Sequence, residues 1–194
     1  MSTTVITPPS IEPLSLEEAR LQCRIDDTVQ DTLLQIYLQS ARKRVEHHTG
    51  RSLMLQTRQA TLDAFPKAIK LEGAPVIDVL SITYTATDGV DVVLDPADYK
   101  VDLYSTPPWI VPAYNTSWPD TLCTINAVRV VYRCGYSTST DPATARAAVP
   151  ADAKNWMLHD IARSHAYASG SSDKPTREND FMIGLLDDLT IHGL

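Results

Sequence analysis

The chain has 194 residues, a formal net charge of −7 and 43% hydrophobic residues, which is typical of a globular protein with one sizeable core or two small ones. No apolar run approaches the roughly 18 residues of a membrane span, and the first ten residues lack the basic and apolar regions of a secretion signal. The negative charge argues against tight, sequence-specific nucleic-acid binding, which needs a basic surface. It leaves open the passage of DNA along an acidic surface.

Residues 1–13 contain three prolines and little that could pack, so they are predicted to form an arm. A short helix then begins with a strong capping box, in which Ser15 caps the backbone N–H of Glu18 and Glu18 reaches back. We expect this helix to end near Cys23, where a turn leads into a much longer helical segment.

The segment from Asp27 to Gly50 is predicted to form one long amphipathic helix, with Asp27 as its N-cap and Gly50 just after its end. Its apolar side chains cover an arc of roughly 200°, twice the roughly 100° stripe that ordinary core packing needs. The helix is therefore either central to its own core, or covered by its own domain on one side and by another subunit on the other. The candidate subunit-interface residues are Leu34, Leu38 and Val45.

A basic cluster lies at the end of this helix and just beyond it. Its members are Arg42, Lys43, Arg44 and Arg51. They either complement the negative end of the helix dipole or contact an acidic partner or a DNA backbone.

After Gly50 the pattern changes to short β segments bounded by Gly, Pro and Asp residues. Strands are predicted at 53–62, 68–71, 79–85, 90–94, 99–104 and 127–133, with a hairpin turn at Asp88-Gly89. Their spacing indicates an antiparallel sheet or a small sandwich. The irregular loop 106–120 contains Trp109 and Trp118, which either complete one end of the β core or cover a small-ligand pocket.

Residues 137–149 are interpreted as a linker, after which Pro150 opens a helix that runs to about Ser169. Asp160 falls on the apolar face of this helix, and a buried carboxylate needs a partner that the sequence does not identify. Beyond a polar linker, segment 181–191 has an apolar stripe that must dock either on its own domain or on another chain. The stripe consists of Phe181, Met182, Leu185, Leu186 and Leu189.

These patterns predict an α+β fold, a discontinuous helical bundle with an inserted small antiparallel β domain. The predicted parts are an arm at 1–13, helical segments at 14–50 and 150–169, a β domain at 52–136, and a linker with a docking segment at 170–194.

Catalytic and metal-binding patterns are missing from the sequence. It contains no phosphate-binding loop, nucleophile elbow or zinc-protease motif. An odd number of cysteines without CxxC spacing is typical of free thiols, and neither histidine pair shares a helix face. The residues concerned are Cys23, Cys123, Cys134, His47, His48, His159 and His165. We therefore expect no enzymatic activity, no cofactor and no metal.

An ordered set of short motifs runs through most of residues 14–169. The motifs are LSLEEA (14–19), RID (24–26), DTLL (31–34), SAR (40–42), TGR (49–51), QT (56–57), FP (65–66), GAPV (73–76), DG (88–89), WP (118–119), VRV (128–130), GY (135–136) and VP (149–150). Their order resembles that of tailed-phage head–tail connector proteins, also called adaptor or head-completion proteins. The acidic, leucine-rich residues 181–194 depart from the shorter basic or aromatic tails of that family.

The resemblance implies a structural virion protein that forms a ring, usually twelve-fold, beneath the portal at one capsid vertex. Such a ring extends the DNA channel and joins capsid to tail. The implied partners are the portal protein, other copies of the chain, and a stopper or tail-terminator protein, with non-specific passage of double-stranded DNA and no membrane. The implied location is the virion neck, after synthesis in the bacterial host cytoplasm. A tail-completion or stopper protein of the same neck region is one alternative, and a ligand-binding protein that uses the Trp109–Trp118 loop is another.

Overall fold

The computed structural model describes residues 1–168 and 184–191 of the chain. In these ranges helices and antiparallel sheets occur together, so the chain is an α+β protein, as predicted. The strands are β1 (Ser2–Thr7), β2 (Gln56–Leu62), β3 (Ile69–Lys70), β4 (Val76–Thr85), β5 (Asp91–Val93), β6 (Tyr99–Asp102), β7 (Trp109–Pro112) and β8 (Val128–Cys134). The helices are α1 (Leu16–Cys23), α2 (Asp31–Thr49), α3 (Pro142–Ala147) and α4 (Ala151–Ala168), with 3₁₀ turns at Pro96–Asp98 and Asp187–Leu189.

The strands form two sheets in which every neighbouring pair is antiparallel. The larger sheet has the order β1-β2-β8-β4-β5 and the smaller one the order β3-β7-β6. β8 is the central strand of the larger sheet, and its residues Val128, Val130, Tyr132 and Cys134 are fully buried. Alternate side chains of a strand point to the same face. The alternating apolar residues that predicted this strand are therefore the ones on the face of β8 that packs against the core.

The predicted N-terminal arm contains a strand, β1, that its sequence pattern does not predict. β1 pairs with β2 at one edge of the larger sheet, with Ser2 opposite Thr61. Residues 3–7 are all β-branched, a composition that favours strands, but they show no alternation of polar and apolar residues. The larger sheet therefore extends beyond the predicted range of 52–136.

Two clusters of buried hydrophobic residues lie in the described parts of the chain. The first draws on all four helices and on segment 184–191, and it includes Leu34, Met157 and Leu186. The second lies between the strands and includes Ile82 and Ile110. The helical cluster thus combines residues from before and after the β region in the sequence.

The start of α2 differs from the prediction. The helix begins at Asp31, whereas the carboxylate of the predicted N-cap, Asp27, accepts a hydrogen bond from the N–H of Val29 at 3.1 Å. Asp27 therefore stabilises a turn before the helix, a common role for Asp. Asp31 accepts a hydrogen bond from Arg20 of α1 at 2.8 Å, which ties the start of α2 to α1.

Several β-region boundaries also differ. β2 begins at Gln56 because Leu53 and Met54, predicted to belong to this strand, pack in the helical cluster instead. β7 lies within the predicted loop 106–120, and α3 lies within the predicted linker 137–149. These two elements have only four and six residues, respectively, which is too short for a periodic pattern to emerge.

Gly50 ends α2 in the left-handed conformation, with φ 69° and ψ 14°, as predicted. Its N–H donates to the carbonyl of Glu46 at 3.0 Å. We expect Gly50→Ala to lower the free energy of unfolding by about 1 kcal/mol, because a Cβ strains this conformation. Gly50→Asn should cost less, since Asn tolerates the left-handed region better. Urea denaturation measures both variants, and an equal loss for Ala and Asn would contradict the explanation.

Candidate functional surfaces

The predicted basic cluster does not form one exposed surface. Arg42 is only 6% exposed, and Arg51 Nε donates to the carbonyl of Leu189 at 2.5 Å. Arg44 and Lys43 are exposed, although Arg44 also pairs with a buried carboxylate. Three of the four side chains thus have partners within the fold, and a contact with DNA or an acidic partner stays a prediction for the exposed Lys43 and Arg44.

Asp160 of α4, for which the sequence identified no partner, is paired twice. It is 2% exposed, and its Oδ1 accepts hydrogen bonds at 2.8 Å from Arg44 of α2 and at 2.8 Å from Arg163 of α4. These ion pairs satisfy a carboxylate that would otherwise be costly to bury. They also link the two longest helices in the described part of the chain.

A second buried network surrounds Glu46 of α2. Glu46 Oε1 accepts from the N–H of Leu53 at 2.9 Å and from Gln56 Nε2 at 3.2 Å, and Oε2 accepts from Arg42 Nη1 at 3.0 Å. Arg42 Nε in turn donates to Glu12 at 2.8 Å. The network therefore joins the N-terminal segment, α2 and the entry to β2. In the sequence, only the i,i+4 spacing of Arg42 and Glu46 signals it.

Burial and charge act in opposite directions on the pKa values of Glu46 and Arg42. Burial raises the pKa of Glu46, and the guanidinium of Arg42 opposes that shift. Burial alone would lower the pKa of Arg42, but the carboxylates of Glu12 and Glu46 raise it. The arrangement keeps Arg42 charged inside the fold, where it is a structural group.

Leu34, Leu38 and Val45, the predicted subunit-interface residues, lie inside the helical core. Their exposed fractions are 0%, 2% and 0%, because α1 and α4 pack against α2. These side chains therefore have no surface to offer to a neighbouring subunit. For them, the structure favours the interpretation in which the helix is central to its own core.

A second set of apolar side chains on and near α2 faces outward. Ile36 is 57% exposed, Leu33 is 37% exposed, and Val29, just before the helix, is 85% exposed. Leu33 and Ile36 are three residues apart and lie on one face of α2, and Val29 lies in the turn that precedes the helix. We call these three residues the outer stripe; they account for the excess width of the predicted apolar arc.

The C-terminal segment packs against its own chain in the described residues 184–191. Leu186 is 1% exposed in the helical core, and Leu189 packs against that core. The N–H of Ile191 donates to the carbonyl of Thr49 at 2.9 Å. For Leu186, the structure therefore favours folding onto its own domain, the first of the two alternatives.

Three residues of the predicted docking stripe are not placed in the helical core by the structure. Leu185 is partly buried and is not in the helical core. Phe181 and Met182 lie outside the described residues. Docking by these three residues on another chain stays a prediction.

Trp109 and Trp118 have separate partners. The ring of Trp118 stacks on Phe65, with 4.8 Å between centroids and 9° between planes, and it packs against the β cluster. Trp109 lies on β7, with the Lys70 ammonium 6.0 Å from its ring centroid. This arrangement favours completion of the β core over a ligand pocket covered by both rings.

Neither a metal cluster nor a membrane span is found in the parts that the structure describes. No three His, Cys, Asp or Glu side chains in residues 1–168 and 184–191 could together hold a metal ion. The helices in these ranges are not long and apolar enough to cross a bilayer. All three cysteines are free, and burial raises the pKa of Cys134, which makes it unreactive.

Comparison with known proteins supports the resemblance seen in the sequence. A family model described as "Phage gp6-like head-tail connector protein" matches residues 13–88, a range that includes α1, α2 and β2 to β4. The predicted resemblance to head–tail connector proteins is thus confirmed over these residues. No curated protein matches the chain.

Solved structures extend the similarity to the whole fold. A chain in the neck of an empty gene transfer agent (GTA) particle, computed with C6 symmetry, matches with a TM-score of 0.80 and 20% identity. A chain in the virion of a native GTA particle gives 0.77 and 18%, and one in the neck of a native GTA particle computed with C12 symmetry gives 0.72 and 19%. Each match covers 100% of this chain and 97% of the other. At these identities, the matches show a shared fold.

Proposed function

We propose that this protein is a structural protein of the virion neck that connects head to tail. The observation that carries the proposal is the similarity of its whole fold to chains of GTA necks, together with the connector family match at residues 13–88. The surfaces of the described residues fit this role. Their buried charges are paired within the fold, and their exposed apolar groups are suited to contacts with other chains.

The proposal includes a ring of copies of this chain beneath the portal, around the DNA channel. The C6 and C12 symmetries of the similar necks support a ring, and we propose twelve subunits. The proposed neighbours along the channel are the portal protein on one side and a stopper or tail-terminator protein on the other. We assign the outer stripe to contact with a neighbouring subunit or the portal, in place of the buried Leu34, Leu38 and Val45.

The finer architecture belongs to the same proposal. Residues 14–50 and 150–169 would form one discontinuous helical domain, and residues 52–136 a β domain inserted into it. The helical cluster supports this division because it combines residues from both segments. β1 would then be an N-terminal addition to the β domain.

Electron microscopy of the protein mixed with portal-bearing heads tests the function. We expect ring-shaped density at the portal vertex and no such density on heads without the protein. A position further from the portal would instead identify a tail-completion or stopper protein. Absence from the neck, together with tight binding of a small molecule, would contradict the proposal.

DNA binding is expected to be weak and independent of sequence. A chain with a net charge of −7 repels the phosphate backbone overall, so its Kd for duplex DNA at physiological salt should be no tighter than about 10⁻⁴–10⁻⁶ M. Lys43→Glu should weaken this residual binding more than Lys100→Glu, a matched charge reversal of an exposed lysine on β6. Titrations by fluorescence anisotropy measure both variants, and a sequence-selective footprint would contradict the prediction.

A further inference from the structure

In the part of the chain that the structure describes, the larger sheet ends in two edge strands. β1 is hydrogen-bonded only to β2, and β5 only to β4, among the strands that the structure describes. The outer side of an edge strand presents backbone N–H and C=O groups that another strand can pair with. Each edge therefore offers a surface for adding a strand from another chain.

β1 lacks two of the features with which soluble proteins usually protect such an edge, namely charged side chains and proline. Ser2–Thr7 contains no charged residue and no proline, and it is mostly exposed, with Val5 46% and Ile6 48% accessible. A register shift between Val5 and Thr7 leaves residues 2–5 as the regular part of the edge. This stretch is well suited to strand pairing because it is uncharged and its residues 3–5 are β-branched.

β5, the opposite edge, is shorter, with three residues, and its side chains are also exposed. Val92 and Val93 are 36% and 66% exposed. The one charged residue of β5, Asp91, accepts from Thr85 Oγ1 at 2.7 Å and pairs with Arg129 at 2.6 Å. Because this carboxylate is held by the sheet's own residues, it does not place a free charge in the way of a second strand.

The sheet order fixes how the two edges could meet. All four neighbouring pairs from β1 to β5 are antiparallel, so β1 and β5 run in the same direction. A copy rotated about an axis roughly along the strands would bring its β5 beside β1 as a parallel pair. Such a contact joins two different surfaces, and repeated contacts of this kind close into a ring when the rotation closes.

We infer that β1 of one copy pairs in parallel with β5 of a second copy, so that the larger sheets of neighbouring subunits join edge to edge. The inference rests on the proposed ring and adds a specific contact to it. Pairing of β1 with β1 of another copy would use the same surface twice and stop at a dimer. β5 is therefore the partner that a ring requires.

Cysteine cross-linking tests this pairing. Thr4→Cys and Val92→Cys are introduced together in a Cys123→Ser background, because Thr4 and Val92 are exposed and Cys123 is the exposed native thiol. Thr4→Cys with Val93→Cys covers the other face of β5. We expect at least one double variant to give a ladder of oligomers under mild oxidation, and each single variant to give none. Links formed by Thr4→Cys alone would overturn the inference, because they would show β1 paired with β1.

A charge at the edge provides an independent test. Val5→Lys should weaken assembly by at least about tenfold in apparent Kd, because a lysine blocks strand addition. Leu80→Lys, a matched change at a 53% exposed residue on the interior strand β4, should leave assembly unchanged. Circular dichroism checks that both variants remain folded.

The assembly of the unmodified chain separates this inference from the proposed function. Sedimentation is measured for the full chain alone and with portal-bearing heads. If the unmodified chain assembles but neither double variant forms cross-links, the edge contact is overturned and the proposed neck function is not. Failure to assemble in both settings would overturn the proposed function and the inference together.

Discussion

Replacing Glu46 by Ala is expected to lower the free energy of unfolding by about 3–5 kcal/mol, because it removes one partner of a buried ion pair. The variant leaves the N–H of Leu53 without its acceptor at 2.9 Å and the amide of Gln56 without its acceptor at 3.2 Å. Arg42 retains Glu12 as a partner, which places the loss in the lower part of this range. Urea denaturation followed by circular dichroism measures the change.

Glu46→Gln is the matched control for this variant. The amide keeps an oxygen that can accept from Leu53, but it replaces the oxygen that accepts from Arg42 Nη1 by an NH2 donor and removes the charge opposite Arg42. We therefore expect a clearly smaller loss than for Glu46→Ala, since a buried donor without an acceptor costs more than a weakened pair. Equal losses would show that only the pairing with Arg42 matters at this site, and an unchanged stability of Glu46→Ala would contradict the role assigned to the network.

Local signals in the sequence predicted the helix ends that are fixed by residues at the end itself. The capping box of Ser15 and Glu18 is present in both directions, and Gly50 ends α2 as predicted. β8 was predicted because one of its faces is fully buried. β1 was not predicted, because most of its side chains are exposed and burial therefore imposes no alternating pattern.

The candidate surfaces were harder to predict, because they depend on which side of a helix the rest of the chain covers. An apolar arc of roughly 200° on α2 does not reveal that Leu34 faces the helical core while Ile36 faces outward. The basic cluster does not form one exposed surface for the same reason. Neighbouring residues on a helix point about 100° apart, so Arg42 is buried beside Glu46 while Lys43 is exposed.

The long-range partners were outside the reach of sequence patterns. Asp160 and Arg44 are 116 residues apart in the chain, and no local spacing links them. The sequence did indicate that a carboxylate on the apolar face of α4 needs a partner. Only the packing of α4 against α2 identifies which arginine of the basic cluster supplies it.

Replacing Leu186 by Asp is expected to lower the free energy of unfolding by at least about 3–5 kcal/mol. Truncating a buried leucine alone costs about 2–5 kcal/mol, and the variant adds an unpaired charge to a site that is 1% exposed. Leu185→Asp is the matched control, since the adjacent side chain lies outside the helical core; its expected loss is below about 1 kcal/mol. Thermal and urea denaturation measure both variants, and co-sedimentation with portal-bearing heads measures docking.

These two measurements separate the two roles of the C-terminal segment. We expect Leu186→Asp to destabilise the monomer, because Leu186 belongs to the same core as Leu34 and Met157. If the segment also docks on another chain through its remaining apolar side chains, Leu185→Asp should reduce co-sedimentation while its melting temperature stays close to that of the unmodified protein. Unchanged stability of Leu186→Asp would contradict its place in the core, and unchanged co-sedimentation of Leu185→Asp would show that Leu185 does not dock.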